Sequence, residues 1–165
     1  MVEKMRYLII AIIALGLLLV AGTACTAETA KSDTNDDYSE GEWFTRVDEG
    51  LEAAQEKEKP VFLLFTGSDW CVWCKKLSNE VLNKEAFSNW AKDNMILVKL
   101  DFLRKTKQPA DIKKYQRKMA KKYGIRGFPT VLLLDKNGEV IAKTGYQKGG
   151  AENYITHIKN KLKQQ

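Results

Sequence analysis

Val61-Phe62-Leu63-Leu64-Phe65-Thr66-Gly67-Ser68-Asp69-Trp70-Cys71-Val72-Trp73-Cys74 is the stretch of this 165-residue chain that decides its fold. The run Val61 to Phe65 is too continuously apolar for a half-exposed strand, so it reads as a strand buried on both faces. After Val72 the pattern changes to one apolar face, Leu77, Val81 and Leu82, interleaved with Lys75, Lys76, Asn79 and Glu80, which is a helix. Cys71 therefore falls at or just before a helix N-terminus, and Cys74 lies one turn in and less exposed. Unpaired N–H groups and the positive end of the helix dipole favour a thiolate at that position. A fall in pKa from about 8.5 to about 7 would raise the thiolate fraction at neutral pH from roughly 3% to roughly 50%. Lower intrinsic nucleophilicity reduces the net gain in attack to about threefold. The larger benefit is that a low-pKa sulfur is a good leaving group, so Cys71 is readily expelled from a disulfide it has formed and the enzyme is not trapped, while Cys74 closes the cycle by attacking the Cys71 sulfur.

Two cysteines at this spacing could also be half of a zinc site, but a four-ligand site needs a second pair. The only other cysteine is Cys25 and the only histidine is His157, so no metal is expected. With Tyr154, Ile155, Ile158 and Leu162 around it, His157 reads as a helix-face residue rather than a catalytic base. Two thiolates would suit Cu(I), yet no Met or His lies nearby in sequence to complete a carrier site.

The N-terminus carries Lys4 and Arg6, an apolar run from Leu8 to Val20 broken only by Gly16, and the small residues Ala21-Gly22-Thr23-Ala24 before Cys25. That order is the order of a secretory signal, expected over residues 1–24, with an uncleaved membrane anchor as the alternative. It resembles a bacterial lipoprotein signal, which implies lipidation of Cys25, although Gly22 stands where a large aliphatic residue is usual. Loss or lipidation of Cys25 leaves one pair, Cys71 and Cys74, for an oxidising compartment. Residues 25–42 are polar and acidic, with Glu28, Asp33, Asp36, Asp37, Glu40 and Glu42 against Lys31. They read as a disordered tether with a reach of about 20–25 Å.

The formal net charge is +6, but from Trp43 onward 24 basic residues face 14 acidic ones. The excess centres on Arg104, Lys105 and Lys107 and on a following helix. In that helix Ile112, Tyr115, Met119 and Tyr123 form the apolar stripe, and Lys113, Lys114, Arg117, Lys118, Lys121 and Lys122 fill the other face. This surface reads as a solvated face, with docking of an acidic partner or anionic lipid as the sharper alternative; nucleic acid is not expected beside an export signal.

Beyond the tether the expected order is helix, strand, helix, strand, helix, strand, strand, helix. Trp43, Phe44, Val47, Leu51 and Ala54 give the first helix its face, and Asn83 is a candidate cap for a short helix carrying Phe87 and Trp90. Met95 to Phe102 reads as a strand. Pro129 to Leu134 and Glu139 to Ala142 flank Asp135-Lys136-Asn137-Gly138, where Asn-Gly favours a tight type I′ turn. Gly149-Gly150 leads into the closing helix.

This order, with Trp70-Cys71-Val72-Trp73-Cys74 opening a helix and Gly127-Phe128-Pro129-Thr130 before the hairpin, resembles the thioredoxin superfamily from about Trp43 to Leu162. Within it the chain is most similar to exported bacterial thioredoxin-like proteins of the thiol:disulfide interchange type. The resemblance implies an α/β thioredoxin-like fold in residues 43–165, with a central mixed sheet of about four strands flanked by helices. It implies a cis Pro129 beside the cysteine pair, whose neighbouring backbone can pair with an extended substrate. Thioredoxins keep a buried carboxylate six residues before the first cysteine; Phe65 stands there, leaving Asp69, Glu80 or water as proton acceptor for Cys74.

The function expected is an extracytoplasmic thiol-disulfide oxidoreductase, periplasmic and held to the membrane through Cys25, that reduces protein disulfides by a Cys71-Cys74 dithiol/disulfide cycle. Trp70, Trp73, Phe128, Pro129 and Thr130 are the candidate substrate-binding residues. The expected partners are disulfide-containing proteins and a redox donor, with the chain a monomer and no cofactor needed. The alternative is a tethered binding module that uses Trp70, Trp73 and Phe128-Pro129 as an apolar docking patch without turnover.

Overall fold

A computed structural model describes residues 42–163. The signal segment, Cys25 and the tether up to residue 41 lie outside the described residues. Five strands form one mixed sheet: β1 (Trp43–Phe44), β2 (Val61–Thr66), β3 (Ile96–Asp101), β4 (Thr130–Leu134) and β5 (Val140–Thr144). Their order is β1-β3-β2-β4-β5. β1 and β2 run parallel to β3, whereas β4 is antiparallel to both β2 and β5. The helices are α1 (Val47–Lys57), α2 (Val72–Leu77) continued by a π turn (Ser78–Leu82), α3 (Glu85–Asn94), α4 (Ala110–Lys122) and α5 (Gly150–Leu162).

The apolar run that predicted β2 is explained by what covers its two faces. Phe62 and Leu64 point into a core shared with Leu77, Val81, Phe87 and Tyr154, beneath α2, α3 and α5. Val61, Leu63 and Phe65 point the other way, to Val47, Ala54 and Met119 beneath α1 and α4. All five side chains are buried. Removing each from water contributes about 1.5–3 kcal/mol, so the strand that carries the cysteine loop is anchored on both sides.

Three local expectations are corrected. Trp43 and Phe44 do not belong to the first helix; they form a two-residue edge strand in register with Leu97 and Val98. Trp43 meets Phe62 edge to face at 5.9 Å on one side of the sheet, while Phe44 packs on the opposite core. Alternation across a strand, not a helical stripe, therefore explains both, and the sheet has five strands rather than four. The hairpin turn is not type I′ either. A three-residue loop, Lys136-Asn137-Gly138, joins Asp135 and Glu139, with the Asp135 N–H donating to the Glu139 carbonyl at 2.9 Å. Only Gly138 has positive φ, at 88°. The Asp135 carboxylate accepts the N–H groups of Asn137 and Glu139 at 2.9 and 2.8 Å, which holds Asn137 out of the left-handed region that type I′ requires.

Asn83 does not cap α3. Its N–H closes the π turn on the Ser78 carbonyl at 2.8 Å, and Lys84 occupies the cap position. The start of α1 is capped from a distance. The Val47 N–H donates to the Tyr115 hydroxyl at 2.7 Å, and that hydroxyl donates to Asp48 at 3.0 Å. Burial pushes the Tyr115 hydroxyl up to about 12, so it remains a proton donor throughout the physiological range. Tyr115→Phe is expected to destabilise the fold by about 1 kcal/mol, the usual loss of a helix cap. Urea denaturation checks this, and an unchanged midpoint would show that water replaces the hydroxyl without cost.

His157 belongs to α5 and shares a 2.8 Å hydrogen bond with the Thr144 hydroxyl of β5. Burial, reinforced by Lys161, lowers its pKa from the usual 6.5. The unfolded chain then takes up a proton that the folded chain refuses, so stability is lost as pH falls below about 6.5. The urea midpoint of the native protein should drop between pH 8 and 5 by more than that of His157→Gln; parallel curves would remove His157 as the cause.

Candidate active site

The loop from Gly67 to Trp70 turns β2 into α2. The Cys71 N–H returns to the Gly67 carbonyl at 2.8 Å, and the Ser68 N–H donates to the Asp101 carboxylate at 2.8 Å. Gly67 is required here, because a side chain at that position would run into the Trp70 indole. Cys71 is the N-cap of α2, with extended backbone. Its sulfur accepts the Cys74 N–H at 3.2 Å, one of the first-turn donors that a helix leaves unfilled. Cys71 and Cys74 are joined as a disulfide, with their Cα atoms 5.2 Å apart. Cys71 is 6% and Cys74 2% exposed, so both residues are buried and Cys74 is the less exposed of the two, as its place one turn into the helix predicts.

Around this pair the surface is apolar and uncovered. Val72 is 74% and Trp73 53% exposed. The Phe128–Pro129 bond is cis, and Phe128 stands edge-on to Trp70 with ring centres 5.7 Å apart. Thr130 is buried and donates its hydroxyl to the Gly127 carbonyl at 2.8 Å, closing the turn that carries Pro129. Thus Trp70, the residue before Cys71, meets Phe128, whose bond to Pro129 is cis, whereas the Thr130 side chain is spent within the loop.

Three features of the site were invisible in the sequence. The Trp70 indole N–H donates to the Phe102 carbonyl at 2.7 Å, and the Arg104 guanidinium lies 3.5 Å over its ring. The Asp69 carboxylate accepts the N–H groups of Arg104, Lys105 and Thr106 at 2.7–3.2 Å. Desolvation would raise the Asp69 pKa, but these donors outweigh it and lower the pKa below the ordinary value. The basic segment after β3 is therefore fastened to the two residues that precede Cys71. On the other side, Trp73 stacks on Tyr146 at 5.5 Å, Lys76 lies over both rings, and the Tyr146 hydroxyl donates to Glu80 at 2.5 Å. That bond to Glu80 raises the Tyr146 pKa. Nothing in the sequence pairs Tyr146 with Trp73; only the return of β5 alongside β4 does so.

Phe65 fills the position of the thioredoxin carboxylate without a polar atom. It is fully buried and packs against Phe102 and Tyr123 at 6.3 and 6.1 Å.

The model of the thioredoxin-like domain matches residues 47–160. The chain belongs to the thioredoxin-like family. It is 34% identical over 115 residues to the disulfide bond reductase DsbH of Chlamydia pneumoniae, a match covering 70% of this chain and 69% of that protein. A solved DsbH oxidoreductase superposes with a TM-score of 0.70 at 29% identity, covering 85% of this chain and 96% of the other. The C-terminal domain of Neisseria meningitidis DsbD shares the fold, with a TM-score of 0.50 at 20% identity over 73% of this chain and 99% of that one. With the cysteine pair in place on this scaffold, the chain is a thiol-disulfide oxidoreductase.

Proposed function

We propose that this oxidoreductase works in the reducing direction, on protein disulfides outside the cytoplasm, with Cys71 as nucleophile and Cys74 as resolving thiol. The observation that carries the assignment is the Cys71 sulfur at the N-cap of α2, facing the Cys74 N–H and followed by the exposed Val72-Trp73. In the reduced protein that N–H and the helix dipole stabilise the Cys71 thiolate.

The thiolate attacks one sulfur of a substrate disulfide. A Cys71–substrate bond forms, the substrate S–S bond breaks, and the departing sulfur takes a proton from solvent. Cys74 then loses its proton and attacks the Cys71 sulfur, forming the internal disulfide and releasing the second substrate thiol. The substrate gains two electrons and two protons, and a donor dithiol returns them to the protein.

Asp69 is committed to three backbone donors, which favours its anion and makes it a weak base. Glu80, which itself accepts the Tyr146 hydroxyl and pairs with Lys76, or water is left to receive the Cys74 proton. Trp70, Trp73, Phe128 and Pro129 form the apolar seat for an extended client, whose backbone pairs beside the cis-proline. Export by the N-terminal signal, lipidation of Cys25 and a monomeric domain on an acidic tether complete the reading. The relative's designation as a reductase supports the direction. The test is reduction of an insulin-type disulfide with dithiothreitol as donor. A rate well above that of dithiothreitol alone is expected, and no acceleration would overturn the assignment.

A further inference from the structure

Beside Trp70, the basic segment and α4 line an open cleft of about 250 Å³. Trp70, Phe102 and Phe128 supply its aromatic walls, and Arg104, Lys113 and Arg117 supply three positive charges. Among the described residues none of these cations forms an ion pair. Two nearby acids are already engaged, Asp69 by three backbone N–H groups and Asp101 by the Ser68 N–H, while Asp111 of α4 is not among the residues lining the cleft.

The polar lining is specific as well. Gln108 and Gln116 both donate to the Asp101 carbonyl at 3.0 Å. This fixes the Gln108 amide and leaves its buried Oε1 without a protein donor. An acceptor with no donor costs free energy until an N–H or O–H reaches it. The Arg104 guanidinium is held 3.5 Å over the Trp70 ring, and a guanidinium offers paired N–H donors that match the two oxygens of a carboxylate.

We propose that this cleft is a client subsite that takes an acidic residue of the substrate polypeptide, close in sequence to the cysteine attacked by Cys71. The partner must offer a carboxylate to the three cations and an N–H to Gln108 Oε1, and a peptide backbone with an acidic side chain offers both. The volume argues the same way, because organic cofactors and drug-sized ligands occupy roughly 300–1,000 Å³. A cleft of this size suits a side chain of a larger partner whose scissile disulfide lies across Trp70. The inference deepens the reductase reading and rests on it.

The test compares three peptides of equal length, each with one intramolecular disulfide, carrying acidic, neutral or basic residues beside the cysteines. The full chain in its reduced form should give a kcat/KM about tenfold higher for the acidic than for the basic peptide, as expected for a few partly exposed charge contacts. That ratio should shrink as salt is added. In Lys113→Glu/Arg117→Glu the ratio should fall to one or below, and in Lys113→Gln/Arg117→Gln it should lie between, so the neutral variant still decides if the charge reversal does not fold. An acidic peptide lacking cysteine should inhibit competitively, whereas free glutamate at equal charge concentration should not. Equal kcat/KM for all three peptides, or a preference unchanged in the variants, would overturn the subsite while leaving the reductase assignment standing. Inhibition by free glutamate equal to that by the peptide would reassign the cleft to small anions. Failure to reduce even the neutral peptide would overturn both readings.

Discussion

Replacing Cys71 with serine is expected to lower disulfide reduction by about a thousandfold or more, to the background of the reductant, because a serine hydroxyl at neutral pH is neither ionised nor able to form the sulfur–sulfur intermediate. The fold should survive. Cys71 sits at a helix cap where serine is among the preferred residues, and besides its bond to Cys74 its sulfur accepts the Cys74 N–H, so the comparison is made with the native protein reduced. Stopped-flow reduction of a fluorescent peptide disulfide, paired with a urea curve, separates the two effects. A variant that keeps its native midpoint and loses turnover places Cys71 in the chemistry. A variant that keeps turnover removes it.

The second large effect is expected at Phe65, where thioredoxins carry their buried acid. Phe65→Asp restores that group in sequence, but here the site is an aromatic cluster with Phe102 and Tyr123. Loss of the ring and the cavity behind it costs about 3–5 kcal/mol, and a buried carboxyl without a partner adds to that. The sum approaches the roughly 5–15 kcal/mol stability of an ordinary domain. Burial would raise the carboxyl's pKa above its unfolded value near 3.9. The folded variant then holds a proton that the unfolded chain releases, so the variant should grow less stable as pH rises above about 4, until the folded group ionises. Urea curves at pH 5 and 8 give the readout. If Phe65→Asp loses little stability and resolves mixed disulfides faster, the cluster is a tolerant replacement for the acid rather than a committed core.

How far the molecule could be read from its residues depended on whether each feature was local. The strand Val61–Thr66, the helix start at Cys71 and the antiparallel pair after Pro129 all follow from hydrophobic period, a break in it, and turn residues. Trp43 and Phe44 misled because their spacing to Val47, Leu51 and Ala54 continues a helical stripe, and a two-residue strand has no period of its own. Pairing with β3 decided their state, and that contact spans some fifty residues. The hairpin showed the same limit: Asn-Gly favoured one turn, and the Asp135 carboxylate selected another by taking up two N–H groups.

The Cys71–Cys74 pair and the cis bond at Pro129 were legible because their chemistry or backbone constraint is carried by residue type. Arg104 over Trp70, Gln108 against Asp101 and Tyr146 on Trp73 were not, since each contact joins separate elements. The positive excess after β3 was visible as composition, but its division into a solvated face and a cleft wall required the packing of α4. Met119 and Gln116 turn inward there, while Arg117 stays exposed at the cleft.

The central claim is that Cys71 attacks and Cys74 resolves, and capture of the intermediate tests it most directly. Cys74→Ala protein, reduced and mixed with a peptide disulfide, should accumulate a covalent adduct that intact-mass and tandem mass spectrometry place on Cys71. The same mixture made with native protein should show only the internal Cys71–Cys74 disulfide and free peptide thiols. Absence of any adduct in Cys74→Ala, under conditions where the native protein turns the peptide over, would contradict the account.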